Sequence, residues 1–107
     1  MKSIRYEKDA ANIVHVIFDN PTESANLMNV AFRDDFATVV AQLKAEPDLA
    51  GVILRSAKST FFAGADLKEM VQAQEQTAQF MWDFAQPLKQ QMRQLETLGK
   101  PVVAAIN

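Results

Sequence analysis

The stretch Phe61-Phe-Ala-Gly-Ala-Asp-Leu-Lys-Glu-Met70 constrains this chain more than any other. Directly before it, Gly51 to Ser56 reads as a buried strand, a short apolar run rich in β-branched residues. Directly after it, Leu67, Met70 and Val71 recur at helical spacing. Asp66 stands where a cap belongs and Glu69 follows three residues on, the capping-box pattern. A strand, a loop of small residues and a helix start leave bare backbone N–H groups pointing into open space. Ala63-Gly64-Ala65 carries almost no side chain, so a ligand can approach the main chain closely. Such a backbone pocket suits an acyl oxygen that gains negative charge during a reaction.

The segments on either side alternate between strand and helix patterns. Ile4 to Lys8 reads as a short strand, Asp9 to Asn12 as a turn and Ile13 to Phe18 as a second strand, together a hairpin. Ile13, His15 and Ile17 share one face of the second strand; Val14, Val16 and Phe18 share the other. Asp19 to Ser24 is loop by composition. Asn29 is placed to cap a helix running to about Ala45, with Phe32, Phe36, Val39/Val40 and Leu43 forming the core-facing stripe and Pro47 ending it. Arg33, Asp34 and Lys44 lie off that stripe. From about Gln76 to Leu98 the pattern is helical again, with Phe80, Phe84, Leu88, Met92, Leu95 and Leu98 at steps of four and three. Pro87 interrupts it, which predicts a kink or two helices meeting near Gln86. Gly99 is read as the C′ residue, and Val102 to Ile106 as a last strand. Strands alternating with helices predict an α/β fold with parallel pairing through helical crossovers, the sheet including Ile13–Phe18, Gly51–Ser56 and Val102–Ile106.

Composition narrows the function classes. With 107 residues the chain is one domain at most, and 49% hydrophobic content is enough for a core. A formal net charge of −2 shows no basic footprint and argues against nucleic acid as a partner. The absence of cysteine excludes disulfides and cysteine-based metal or nucleophile sites, and fits a cytoplasmic setting. The first residues hold no secretory h-region, and no run reaches the roughly 18 apolar residues of a membrane span. His15, the only histidine, reads as an ordinary strand residue. Neighbours such as Asp34 and Asp35 point about 100° apart on a helix, so they read as a solvated face rather than an acid–base pair. Gly99-Lys100 lacks the upstream glycine of a phosphate loop, and three glycines cannot make a dinucleotide fingerprint. No His/Glu metal spacing is present, so no metal is expected. Phe80, Met81, Trp82 and Phe84 read as core or interface packing, with an acyl-chain lining as the alternative.

The residues around Ala65 carry a resemblance as well. Phe62-Ala-Gly-Ala-Asp-Leu67 resembles the oxyanion-hole segment of the crotonase (enoyl-CoA hydratase/isomerase) superfamily. Pro21-Thr-Glu-Ser-Ala-Asn26-Leu-Met-Asn29 resembles that family's Asn-containing turn before its first helix, and Lys100 to Asn107 the strand leading to its glycine-rich segment. The resemblance runs from about Ile13 to Asn107. It implies a crotonase-like ββα spiral, of which residues 1–107 are the N-terminal part. In the family, a glycine-rich turn with a second oxyanion donor and the catalytic glutamates follow the position of Asn107.

The resemblance implies binding of an acyl-CoA thioester, with coenzyme A as part of the substrate and no covalently bound cofactor. The backbone N–H of Ala65 would be one of two oxyanion donors. The backbone around Ala63, Gly64, Asp66 and Leu67, and the turn around Ala25 and Leu27, would contact the adenine and pantetheine parts of coenzyme A. A cap explains the Asp66 side chain more simply than catalysis does, and Glu69 reads as a first-turn residue. Three readings remain open. The first is an enoyl-CoA hydratase of fatty-acid β-oxidation, free-standing or the N-terminal part of a multifunctional oxidation protein. The second is an enoyl-CoA isomerase or another family enzyme; the third is a non-catalytic fragment that binds coenzyme A or pairs with other subunits. When intact, the family pattern implies a trimer-based homo-oligomer or a multienzyme complex. By itself the chain is expected to be close to inert and to self-associate through its last strand.

Overall fold

The computed structural model describes residues 1–73 and 77–107. Four strands, β1 (Ile4–Lys8), β2 (Ile13–Phe18), β3 (Gly51–Ser56) and β4 (Val102–Ala104), form one sheet in that order. β1 pairs antiparallel with β2, while β2–β3 and β3–β4 are parallel. Helix α1 (Val30–Ala45) makes the first crossover; α2 (Leu67–Ala73) and α3 (Ala78–Glu96) lie between β3 and β4. This is the α/β arrangement that the alternating patterns predict.

The local reasons hold at most positions. The β1–β2 turn closes with Asp9 N–H donating to Ile13 O at 2.9 Å, and Asn12 takes the left-handed conformation (φ 62°) that asparagine tolerates. Asn29 caps α1, its Oδ1 accepting from Phe32 N–H at 2.9 Å. Phe32, Phe36, Val39, Val40 and Leu43 are all buried and meet Val14, Val16 and Phe18 from β2. His15 lies on the opposite face of β2. Its Nδ1 accepts from Arg55 Nε at 3.4 Å, so its Nε2 carries the proton shared with Asp9 Oδ2 at 3.0 Å.

Three expectations need correction. Of the kink or two helices expected near Gln86, the two-helix form is corrected: α3 is one helix with Pro87 inside it. Its cap is Thr77, which accepts from Phe80 N–H at 3.1 Å; the expected start at Gln76 lies outside the described residues. The helix ends at Glu96 with Thr97 as C-cap, so Gly99 (φ 84°) stands two residues beyond the cap rather than at C′. β4 is shorter than Val102–Ile106, although Ala105 N–H still donates to Leu54 O at 2.8 Å.

The expectation of a solvated face holds for Asp34 and fails for Asp35. Asp35 Oδ2 accepts from Ser3 N–H (2.7 Å), Ser3 Oγ–H (2.8 Å) and Lys2 N–H (3.0 Å), pinning the start of the chain to α1. Burial pushes the Asp35 carboxyl up, but these bonds and the terminal ammonium outweigh it and hold it below the usual 3.8. A carboxyl lowered by folding stabilises the fold above that usual value and loses the contribution as pH falls through the lowered one. Asp35→Asn is therefore expected to cost about 1–2 kcal/mol at neutral pH and to flatten the stability loss below pH 3.8. Urea midpoints at pH 7 and pH 3 check this; equal acid sensitivity in variant and parent contradicts it.

Candidate active-site loop

β3 delivers the chain into the loop that ends at Ala65, and the segment before α1 runs alongside it. Three main-chain bonds join the two: Ala63 N–H to Asn26 O (2.8 Å), Met28 N–H to Gly64 O (2.8 Å) and Asp66 N–H to Met28 O (3.1 Å). Met28 and Ala65 thereby form an isolated parallel bridge. In such a bridge Met28 turns both its N–H and its C=O toward residues 64 and 66, so the N–H and C=O of Ala65 face the other way. Ala65 is exposed, and among the described residues no group accepts from its N–H. Gly64 holds φ 97°, a conformation that a side chain would strain, and this turn places Ala65 on the bridge.

Asn26, buried to 2% exposure, ties the two loops from inside. Its Oδ1 accepts from Asn20 N–H at 3.0 Å; its Nδ2 donates to Ser56 Oγ at 2.8 Å and to Phe61 O at 3.0 Å. The positions singled out from sequence fall together on these adjoining segments: Ala25 and Leu27 half-buried, Ala63, Gly64 and Ala65 exposed, Asp66 half-buried and Leu67 exposed. Asp66 caps α2, accepting from Lys68 N–H at 2.8 Å. The reciprocal half of the capping box is not made. Glu69 instead accepts from Val30 N–H at 3.0 Å and lies 3.5 Å from the Arg33 guanidinium. Both carboxylates near Ala65 are thus committed to backbone or ion-pair partners, and the chemistry the loop offers is main-chain hydrogen bonding.

Beside the bridge lies an apolar cavity of about 430 Å³, lined by Phe18, Phe32, Phe36, Phe61 and Phe62, by Met28, and by Leu88 and Met92 of α3. Among the described residues Glu96 is its one titratable lining residue, so it accepts apolar groups and offers little acid–base chemistry. Phe80, Met81 and Trp82 do not line it; they stand exposed on α3, neither core nor cavity wall. Phe84 takes a different place, with the Arg33 guanidinium 3.7 Å above its ring. Among the described residues no group of three His, Cys, Asp or Glu could hold a metal, and no helix is long and apolar enough to cross a membrane.

The family model for enoyl-CoA hydratase/isomerase matches residues 8–107, and the chain belongs to that family, the crotonase superfamily. The fatty acid oxidation complex subunit alpha of Acinetobacter baumannii (strain AYE) is 38% identical over 98 residues, which are 92% of this chain and 14% of that protein. The subunit of the same name from Vibrio parahaemolyticus is 36% identical over 107 residues, 99% of this chain and 15% of its own length. Among solved structures, an enoyl-CoA hydratase from Bacillus anthracis superposes with a TM-score of 0.81 at 27% identity, covering 99% of this chain and 40% of the other. One from Shewanella pealeana reaches 0.88 at 17% identity, covering 98% and 39%, a likeness of fold alone. This chain therefore spans about a seventh of the curated relatives and two fifths of the solved structures it resembles.

Proposed function

We propose that residues 1–107 form the acyl-CoA-binding part of an enoyl-CoA hydratase acting in fatty-acid oxidation, with the Ala65 N–H as one oxyanion donor. The observation that carries this is the Ala65 amide, exposed, without an acceptor among the described residues and turned away from its bridge partner. A donor held by neighbours rather than by its own hydrogen bond needs little reorganisation when charge develops on a thioester oxygen. Coenzyme A enters as part of the substrate, along the main chain of Ala25, Leu27, Ala63, Gly64, Asp66 and Leu67. The relatives named as fatty acid oxidation subunits support the pathway class. The second donor and the two glutamates of the family pattern are not among these residues. Loss of acid–base groups costs on the order of 10²–10⁴ in rate, so residues 1–107 alone are expected to bind but not to turn over.

The experiment is titration of residues 1–107 with crotonyl-CoA by calorimetry, beside a hydration assay read at the enoyl absorbance. Binding without hydration supports the reading. No binding at millimolar ligand overturns it, and measurable hydration would require a base among Asp66 and Glu69.

A further inference from the structure

Glu69 has left its capping box, and the place it has gone gives it a different task. We propose that Glu69 and Arg33 form a clamp that holds the Ala65 loop against the start of α1, with Glu69 the positioning residue for the Ala65 amide. Only its catalytic consequence rests on the function proposed above. The bridge between Met28 and Ala65 is a single rung pair, and the other ties between the two segments, Ala63 N–H to Asn26 O and the Asn26 side chain to Phe61 O, lie before it. Glu69 adds an attachment on the far side of the bridge, since Val30 lies two residues after Met28 and Glu69 four after Ala65. Its Oε1 accepts the Val30 N–H, one of the α1 donors without a partner inside the helix, at 3.0 Å. Its Oε2 lies 3.5 Å from Arg33 Nη2, and the Arg33 guanidinium is stacked 3.7 Å above Phe84. One carboxylate thus joins α2 to α1, and one guanidinium joins both to α3. Elsewhere on this segment, among the described side chains, Leu67 and Val71 are exposed, and Asp66, just before α2, bonds locally to Lys68.

The pair is shielded as well as close. Arg33 is 14% exposed and Glu69 27%, less open than the Arg93–Glu96 pair at 70% and 68% on the surface of α3. A partly buried carboxylate that takes both a backbone N–H and a guanidinium is held more firmly than an exposed ion pair.

The test is hydrogen exchange of the full chain without ligand, comparing Glu69→Ala and Glu69→Gln with the parent. In Glu69→Ala the Met28 and Asp66 amides, which make the bridge, should exchange about tenfold faster, while core amides such as Val16 and Val39 stay unchanged. Glu69→Gln keeps an acceptor for Val30 N–H and should stay within about twofold of the parent. Should Glu69→Ala not fold, Arg33→Met keeps Glu69 and should loosen the same two amides about threefold. Unchanged bridge amides, or an equal rise across the core, would overturn the clamp. Kinetics with crotonyl-CoA, in the intact enzyme that contains residues 1–107, then test the consequence: kcat about tenfold lower in Glu69→Ala with KM nearly unchanged, and recovery in Glu69→Gln. An intact parent enzyme that neither binds nor hydrates crotonyl-CoA defeats the proposed function and leaves the exchange result standing.

Discussion

Ala65→Pro, made in the intact enzyme of which residues 1–107 are proposed to be the acyl-CoA-binding part, is expected to lower turnover of an enoyl-CoA ester by about 10²–10³, the cost of one oxyanion donor. The substitution suits the site because of how the bridge is built. Its bonds run from Met28 N–H to Gly64 O and from Asp66 N–H to Met28 O, and none uses the Ala65 N–H. Proline at 65 therefore removes a hydrogen that the fold does not use, and glycine at 64 tolerates the restriction proline places on the residue before it. Ala65→Gly is the control: it changes the side chain, keeps the donor and should retain activity within a few fold. Steady-state kinetics with crotonyl-CoA, beside circular dichroism to confirm the fold, decide the matter. Turnover within threefold of the parent in Ala65→Pro would show that the amide does not meet the reacting oxygen.

The strands and the first helix were legible because their signals are local. β2 alternates Val14, Val16, Phe18 into the core, and α1 places Phe32, Phe36, Val39, Val40 and Leu43 on one stripe, all buried. The caps at Asn29 and Asp66 could likewise be read from residue type and position. What sequence reading missed depends on partners far along the chain. Glu69 satisfies the spacing of a capping box, yet Val30 N–H, 39 residues earlier, takes it instead. Asn26 looks like one more loop asparagine until Ser56 and Phe61, 30 and 35 residues later, fold onto it. Asp35 reads as surface because it and Asp34 point about 100° apart on a helix and so do not pair; its partners come from the start of the chain, 32 and 33 residues before it. The cavity was missed for a related reason. Its wall gathers aromatic residues from β2, α1 and the loop after β3, each read correctly as apolar and none marking an empty space. The exposed Phe80, Met81 and Trp82 show the limit of periodicity: it finds a helix face but not what the face meets.

Asn26→Leu should be among the most destabilising single changes in this chain, at about 2–5 kcal/mol, because it strands two groups at once. Leucine matches the shape but offers neither donor nor acceptor. The Asn20 N–H loses the Oδ1 that accepts it, and Phe61 O loses the Nδ2 that donates to it. Ser56 is spared, since its Oγ still donates to Thr60 O and accepts from Lys58 N–H. Asn26 is 2% exposed, so water does not readily replace either lost partner, and each stranded group costs about 1–3 kcal/mol. Against a total stability of about 5–15 kcal/mol for a domain, that is a large share. Asn26→Asp is the sharper chemical test. It keeps Oδ1 for Asn20 N–H but turns the Nδ2 position into a second acceptor facing the Phe61 carbonyl. It should therefore fall between the parent and Asn26→Leu near pH 4, where the acid can be protonated and donate, and lose more at neutral pH where it is charged. Urea midpoints of the three chains at both pH values check this ordering. Were Asn26→Leu as stable as the parent, the two loops would have to be held by the main-chain bonds alone, and Asn26 would not be their anchor.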